Sequence, residues 1–490
     1  MLNDSHRFFD NFEYGGFWWS PKSPAHKVAG TLSYTVGERM ILDLLGSLDE
    51  SGSDENEDCD LILGTADGNR DFTLQGLIRA KSRSVGREVF SSSYLVDRIF
   101  EGKHFSSTKD IKFTSVSVSY TSFEDWFADL PFHETTDNTD IPTNAVKLVA
   151  SHVVPCPIFE CRVDFLNSAI KARLGFEGSI GIRELKWRST GYIDIVPDEP
   201  SSFDWFWQVH ADVRNLLTLL MNEPTYAKLM CAYGDAIETS PGRVSNERIY
   251  VYFMNSSRAS QEEIHPADML LIYPAIKDNI SMILEAWFSK AELLRAVYTL
   301  FFGSMYFSHM YPRFHFLNLI QAVETFHRNM RKGQYLTEKD FEPIRTVLTG
   351  AIPEGIGSDL RAALKSKIRY GYEYSLRKRL NLLFAELDAE TLKLITDNPN
   401  RMTDKIVDTR NYFTHHTDEL KKLAFNGDAL HYANYKLRVL LTILLLKEVG
   451  LSEAVIREGI CGNRELLYGL SEGQGVKVFL AKLKASPSEA

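Results

Sequence analysis

The hydrophobic period of this chain is mostly two in its first part and helical, without return, from about Asp278. Up to about residue 200, apolar residues mostly alternate with polar ones, as in Lys112-Phe-Thr-Ser-Val-Ser-Val-Ser-Tyr120, Ala145 to Val154, Ile182 to Trp187 and Tyr192 to Val196. A period of two puts every second side chain on one face, so these segments are expected as strands. From about Asp278 the period is helical: Ile280 to Tyr306, Phe314 to Met330, Glu338 to Leu348, Tyr372 to Leu387, Met402 to about Phe413, and Leu430 to Val449. Pro312, the Gly350 to Gly357 segment, Asn398-Pro399 and Gly427 supply the breaks. At 490 residues the chain also exceeds the size at which one core stops growing. The expectation is an α+β multidomain protein. A strand-rich N-terminal domain covers residues 1–200, a mixed helix and strand connecting region 201–277, and an all-α helical bundle 278–490. In the connecting region, Phe203 to Met221 reads as a helix closed by Asn222, Glu223 and Pro224, and Arg248 to Phe253 reads as a strand. No fixed-period repeat is present, which argues against a solenoid.

Charge divides along the same line. From residue 277 onward, 30 Lys and Arg face 25 Asp and Glu, whereas before it 25 face 40. The helical part is therefore the better place for phosphate contacts, despite the net charge of -10 for the whole chain. The acidic stretch Ser47 to Asp60 has almost nothing to bury and reads as a solvated loop. The N-terminus lacks a basic region followed by an apolar stretch, and the longest apolar runs, Val439 to Leu446 and Ala296 to Phe307, are too short for a bilayer. A cytoplasmic location without membrane contact is expected. Five scattered cysteines suit neither a disulfide framework nor a closed zinc site; Cys156 and Cys161 are the only close pair, and no metal or cofactor is expected.

Within the bundle, Asp408-Thr-Arg410-Asn411-Tyr-Phe-Thr-His415-His416 sets an arginine four intervening residues before a histidine. Arginine stays charged and contacts phosphate in bidentate fashion, whereas histidine exchanges protons near neutral pH. The pair suits RNA cleavage: the histidine removes the 2'-hydroxyl proton or protonates the departing 5'-oxygen, and the arginine stabilises charge developing on phosphorus. Spacing alone is weak evidence, since it arises about twice by chance in a chain of this composition. Arg98 with His104 and Arg258 with His265 are such coincidences in the strand-rich half. Arg410 differs in its helical context, in the amide of Asn411 beside it, and in the apolar anchors Ile406, Val407, Tyr412 and Phe413. Residues five apart on a helix are rotated by roughly 140°, so Asn411 and His415 share a face while Arg410 sits to the side. Three arrangements bring Arg410 and His415 to one phosphate: the helix ends or bends near Thr414, the arginine reaches round, or a second copy completes the site. The last is favoured.

The Arg410-Asn411-Tyr-Phe-Thr-His415 string in a helical bundle resembles the HEPN superfamily. The wider chain is similar to the ApeA subgroup of bacterial anti-phage HEPN proteins, through Gly16-Phe17-Trp18-Trp19-Ser20-Pro21 with Ala29-Gly30-Thr31-Leu32, Leu317 to Arg328, and Tyr374-Ser-Leu-Arg-Lys-Arg-Leu380. The resemblance implies metal-independent endoribonuclease activity, a HEPN homodimer, a phage-derived trigger, and abortive defence by damage to host RNA, with tRNA foremost. It also implies a 2',3'-cyclic phosphate product.

Each residue singled out has an ordinary alternative. Arg410 could pair with Asp404 or Asp408 on the helix surface, and His415 could simply end the helix. His416 could substitute for His415 or be a surface residue. Glu324, His327 and Arg328 share a face and could form a second polar cluster or an internal ion-pair network. Lys365, Lys367, Arg369, Arg377, Lys378 and Arg379, with Tyr370, Tyr372 and Tyr374 between, are candidate RNA contacts or a solvated helix surface. The Phe17-Trp18-Trp19 and Phe203-Asp-Trp205-Phe-Trp207 clusters either line a ligand pocket or pack a sandwich or barrel. The competing functions are a non-catalytic HEPN scaffold for dimerisation or partner binding, and a ligand-binding sensor oligomerised by its helices.

Overall fold

The structure, a computed structural model, describes residues 8–48, 60–85, 88–128, 133–137, 147–151, 156–180, 185–240, 243–255, 264–307 and 309–484. Most of the acidic stretch, residues 49–59, lies outside them, as do parts of the strands expected at 145–154 and 182–187. The chain divides into two compact units, Met1–Phe288 and Ser289–Ala490.

The first unit is built on one antiparallel sheet of twelve strands: β1 Phe12–Trp19, β2 Val28–Tyr34, β3 Met40–Leu44, β4 Leu61–Ala66, β5 Arg70–Val85, β6 Glu88–Glu101, β7 Ser115–Tyr120, β8 Cys156–Val163, β9 Ser168–Ile180, β10 Leu185–Pro197, β11 Ala227–Ser240 and β12 Arg243–Phe253. Strand β6 closes part of it. On one edge β6 pairs with β5; on the other, Ser92 to Val96 pair with β3 and Arg98 to Glu101 with β12. The circuit β6-β3-β2-β1-β4-β5-β6 is therefore a six-stranded barrel, and β12-β11-β7-β10-β9-β8 extends from it as an open sheet. Alternation along β1 explains the core: Phe12, Tyr14 and Trp18 are buried, while Glu13, Gly15 and Phe17 are exposed. The Trp18 indole N–H donates to Gly30 O at 3.1 Å, satisfying its one polar atom inside the barrel.

Helix α1 (Phe203–Met221) starts where the Ser202 hydroxyl accepts from the Trp205 amide, and it buries Phe206, Val209, Val213, Leu216 and Leu220. His210 on the same face stacks on Tyr120, whose hydroxyl is 2.8 Å from Nδ1. Burial holds this imidazole neutral, its pKa pushed down to about 3. Residues 201–277, expected as a connecting region, belong to this unit, because β11 and β12 are two of the sheet's strands. Trp18, Trp19, Phe203 and Phe206 pack the interior, as the packing alternative held.

Helix α2 (Ile280–Tyr306) contains the division between the units. The second unit continues with α3 Pro312–Arg331, α4 Glu338–Gly350, α5 Ser358–Arg369, α6 Leu376–Ala385, α7 Ala389–Ile395, α8 Pro399–His415, α9 Asp418–Leu423, α10 Gly427–Glu448, α11 Glu453–Gly462, α12 Arg464–Leu470 and α13 Val476–Lys484. The helical bundle expected from residue 278 is thus present. Helix α10 is its axis: Val439 to Leu446 are all buried, a helix apolar all round because neighbours cover it all round. Among the described residues no helix is long and apolar enough to cross a membrane. Tyr372 to Tyr374, expected as the start of a helix, lie outside α6, which begins where the Ser375 hydroxyl accepts from the Lys378 amide.

Candidate active site

Helix α8 carries Arg410, Asn411 and His415 in its last two turns. The helix starts cleanly, with Pro399 in its first turn and the Asn398 side chain accepting from the Arg401 amide at 3.0 Å. Met402, Ile406 and Thr409 are buried, and Phe413 continues the stripe by meeting buried Phe316 of α3 edge to face at 5.8 Å. Thr409 adds a polar clamp. Its hydroxyl donates to Lys405 O and accepts from the Phe425 amide at 2.8 Å, tying the segment after α9 back to α8.

This stripe fixes what the opposite side presents. Arg410, one residue on from Thr409, is half-buried, and its Nη1 donates to the side-chain oxygen Oδ1 of Asn411 at 3.2 Å. Asp404, a candidate partner for Arg410, pairs instead with Arg377 of α6. Arg410 makes no ion pair among the described residues, so its charge stays uncompensated. His415 is exposed and makes no hydrogen bond among them. Helix α8 runs through His415 and stops there: His416 adopts the left-handed conformation at φ 54°, and its amide donates to Tyr412 O at 2.8 Å.

His416 turns away from His415. Its ring meets Tyr412 edge to face, and its Nε2 lies 2.6 Å from Nη2 of Arg313. Arg313, in the first turn of α3, also donates to Phe413 O at 3.1 Å, with its guanidinium 5.1 Å from the Phe413 ring centre. It thus satisfies a carbonyl that the helix end leaves open. Asn434 of α10 supports the same corner by donating to Pro312 O at 2.9 Å. Sequence reading missed Arg313 because 103 residues separate it from His416 and no spacing links them.

The other candidates separate. His327 is 1% exposed, and its Nδ1 is 3.2 Å from Arg379 Nη1; burial, then the charges of Arg379 and Arg331, push its pKa down to about 4. Arg379, expected among the RNA contacts, is also 1% exposed and donates to Tyr374 O and Gly333 O. That expectation is corrected: buried and bonded inward, Arg379 is a strut. Gly333 is required here, since at φ +70° any Cβ would lie 2.3 Å from Arg379 Nη1. Glu324 and Glu373 flank Arg328 at 3.5 and 2.9 Å, the ion-pair network of the ordinary alternative. Lys365, Lys367, Arg369, Arg377 and Lys378 are exposed. Lys365 and Arg369 share a face of α5 while Lys367 points elsewhere.

A family model described as ApeA N-terminal domain 1 matches residues 13–287, more than half of the chain, and one described as Apea-like HEPN matches residues 317–455. The chain belongs to the ApeA-like HEPN family. No curated protein and no solved structure matches it. The HEPN match contains all of α8, so Arg410, Asn411 and His415 lie inside it, whereas Arg313 lies four residues before its start.

Proposed function

We propose that this chain is a metal-independent endoribonuclease of anti-phage abortive defence, acting in the cytoplasm on host RNA, with tRNA its main target. The observation that carries the reading is the end of α8 inside a HEPN domain: among the described residues a half-buried arginine has no ion pair and an exposed histidine has no hydrogen bond. One imidazole takes the 2'-hydroxyl proton, the 2'-oxygen bonds to phosphorus, and the bond from phosphorus to the 5'-oxygen breaks as that oxygen gains a proton. The products are a 2',3'-cyclic phosphate and a 5'-hydroxyl. Arg410 holds the phosphoryl oxygens as charge builds on them, and Asn411 orients its guanidinium.

His415 and Arg410 lie about 140° apart around α8, which supports a homodimer in which two copies of this helix face one cleft. Lys365, Arg369, Arg377 and Lys378 supply further phosphate contacts, and a phage-derived signal sensed by the first unit releases the activity. A single 2'-deoxynucleotide placed at a mapped cut position tests the chemistry. Cleavage at that bond must stop while neighbouring cuts continue; unchanged cleavage there would rule out attack by the 2'-oxygen.

A further inference from the structure

We propose that the barrel of the first unit binds a nucleotide in the cavity on its outer wall, with the phosphates on Lys81 and Arg83 and the base on Phe17. The cavity, about 870 Å³, exists because β5 changes partners part-way along. Its pairing with β4 ends at Gln75, and residues from Leu77 on pair only with β6. Gly76 makes the bend, at φ +69° with the side chain of Asp97 2.7 Å from where a Cβ would stand. Beyond it, β5 pairs with β6 alone while β6 stays paired with β3 as far as Ser92, and the cavity is lined by these two strands and by the outer face of β1 to β4.

The two walls differ in chemistry. On β5, Lys81 pairs in register with Ser93, and Arg83 with Ser91. Residues two apart on a strand face the same way, so the two cations leave the strand from Cα atoms about 7 Å apart. The Ser91 hydroxyl stands beside Arg83, while the Ser93 hydroxyl beside Lys81 donates to Asp43, which also lines the cavity. Neither cation makes an ion pair among the described residues. Two neighbouring cations without an ion pair among the described residues, with the Ser91 hydroxyl beside them, suit a polyphosphate. On the barrel wall Gly15, Ala29 and Thr31 leave a low floor, and Phe17, 57% exposed, stands beside it. Phe17 is the one member of its aromatic cluster that does not pack inward, and its ring offers a stacking face. Asp67 lies over Gly15, exposed, and can accept from ribose hydroxyls or a base amino group.

The test is isothermal titration of the full chain with ATP, GTP, CTP, UTP, ADP, AMP and pyrophosphate. At least one nucleotide binds at one site per chain, and the double variant Lys81→Ala/Arg83→Ala weakens it tenfold or more. Phe17→Ala weakens the nucleotide several-fold and leaves pyrophosphate unchanged. All three side chains are exposed, so the melting temperature stays constant and verifies folding. Absence of binding by every nucleotide overturns the proposal, as does binding that both variants leave intact. Pyrophosphate bound as tightly as the best nucleotide, with no effect of Phe17→Ala, overturns the assignment of a base contact.

Discussion

Arg313 Nη2 lies 2.6 Å from His416 Nε2 and 3.1 Å from Phe413 O, joining the first turn of α3 to the last turn of α8. Arginine only donates, so His416 Nε2 is the acceptor in this contact. The contact engages Nε2 of His416 next to His415 and ties both to the first turn of α3.

Arg313→Ala is therefore expected to lower RNA cleavage about ten- to a hundredfold by loosening the turn that carries His415. Its stability cost is about 1.5–3 kcal/mol, the range for a hydrogen bond to a charged donor. Single-turnover cleavage and thermal melting measure the two separately. His416→Ala should cost far less activity than His415→Ala; equal losses would return His416 to the catalytic group.

Arg379 and the exposed cations of α5 should respond in opposite ways. Arg379→Ala leaves His327 Nδ1, Gly333 O and Tyr374 O without their donor and is expected to cost about 3 kcal/mol in denaturant unfolding. Lys365→Ala and Arg369→Ala should leave stability unchanged. Each should instead lower RNA affinity and make the logarithmic salt dependence of binding shallower by about 0.7 for each phosphate that is no longer neutralised.

Acid sensitivity follows from the buried imidazoles. Burial, and then neighbouring cations, push His327 and His315 down to about 4 from 6.5. These rings are neutral in the folded chain over a range where the unfolded chain protonates them. Their contribution is complete above pH 6.5 and declines as pH falls towards 4. The melting temperature should decline across that window, and His327→Gln should make the decline shallower. An identical decline in the variant would remove His327 from the account.

The sequence made some of this legible and left the rest hidden for physical reasons. The change of period at Asp278 separates sheet from bundle because burial geometry writes itself into spacing, and the ends of α1 follow from Ser202 and Asn222. Barrel closure was not legible: it depends on β6 pairing with β3 and then β12, a long-range register. Helix α5 was missed because it buries none of its residues and so shows no apolar stripe. Arg410, Asn411 and His415 were readable as a local string. Arg379 was misread because a basic run has the same letters on a surface as in a strut. Arg313 was missed because its partners come from another helix.

The most direct measurement is cleavage of total RNA by the purified protein in excess EDTA, beside Arg410→Ala and His415→Ala, with the trigger supplied by phage-infected lysate. Wild type should produce fragments ending in 2',3'-cyclic phosphate, and both variants should lose the activity by about a hundredfold or more. Undiminished cleavage in either variant, or wild-type activity that EDTA abolishes, would contradict the account.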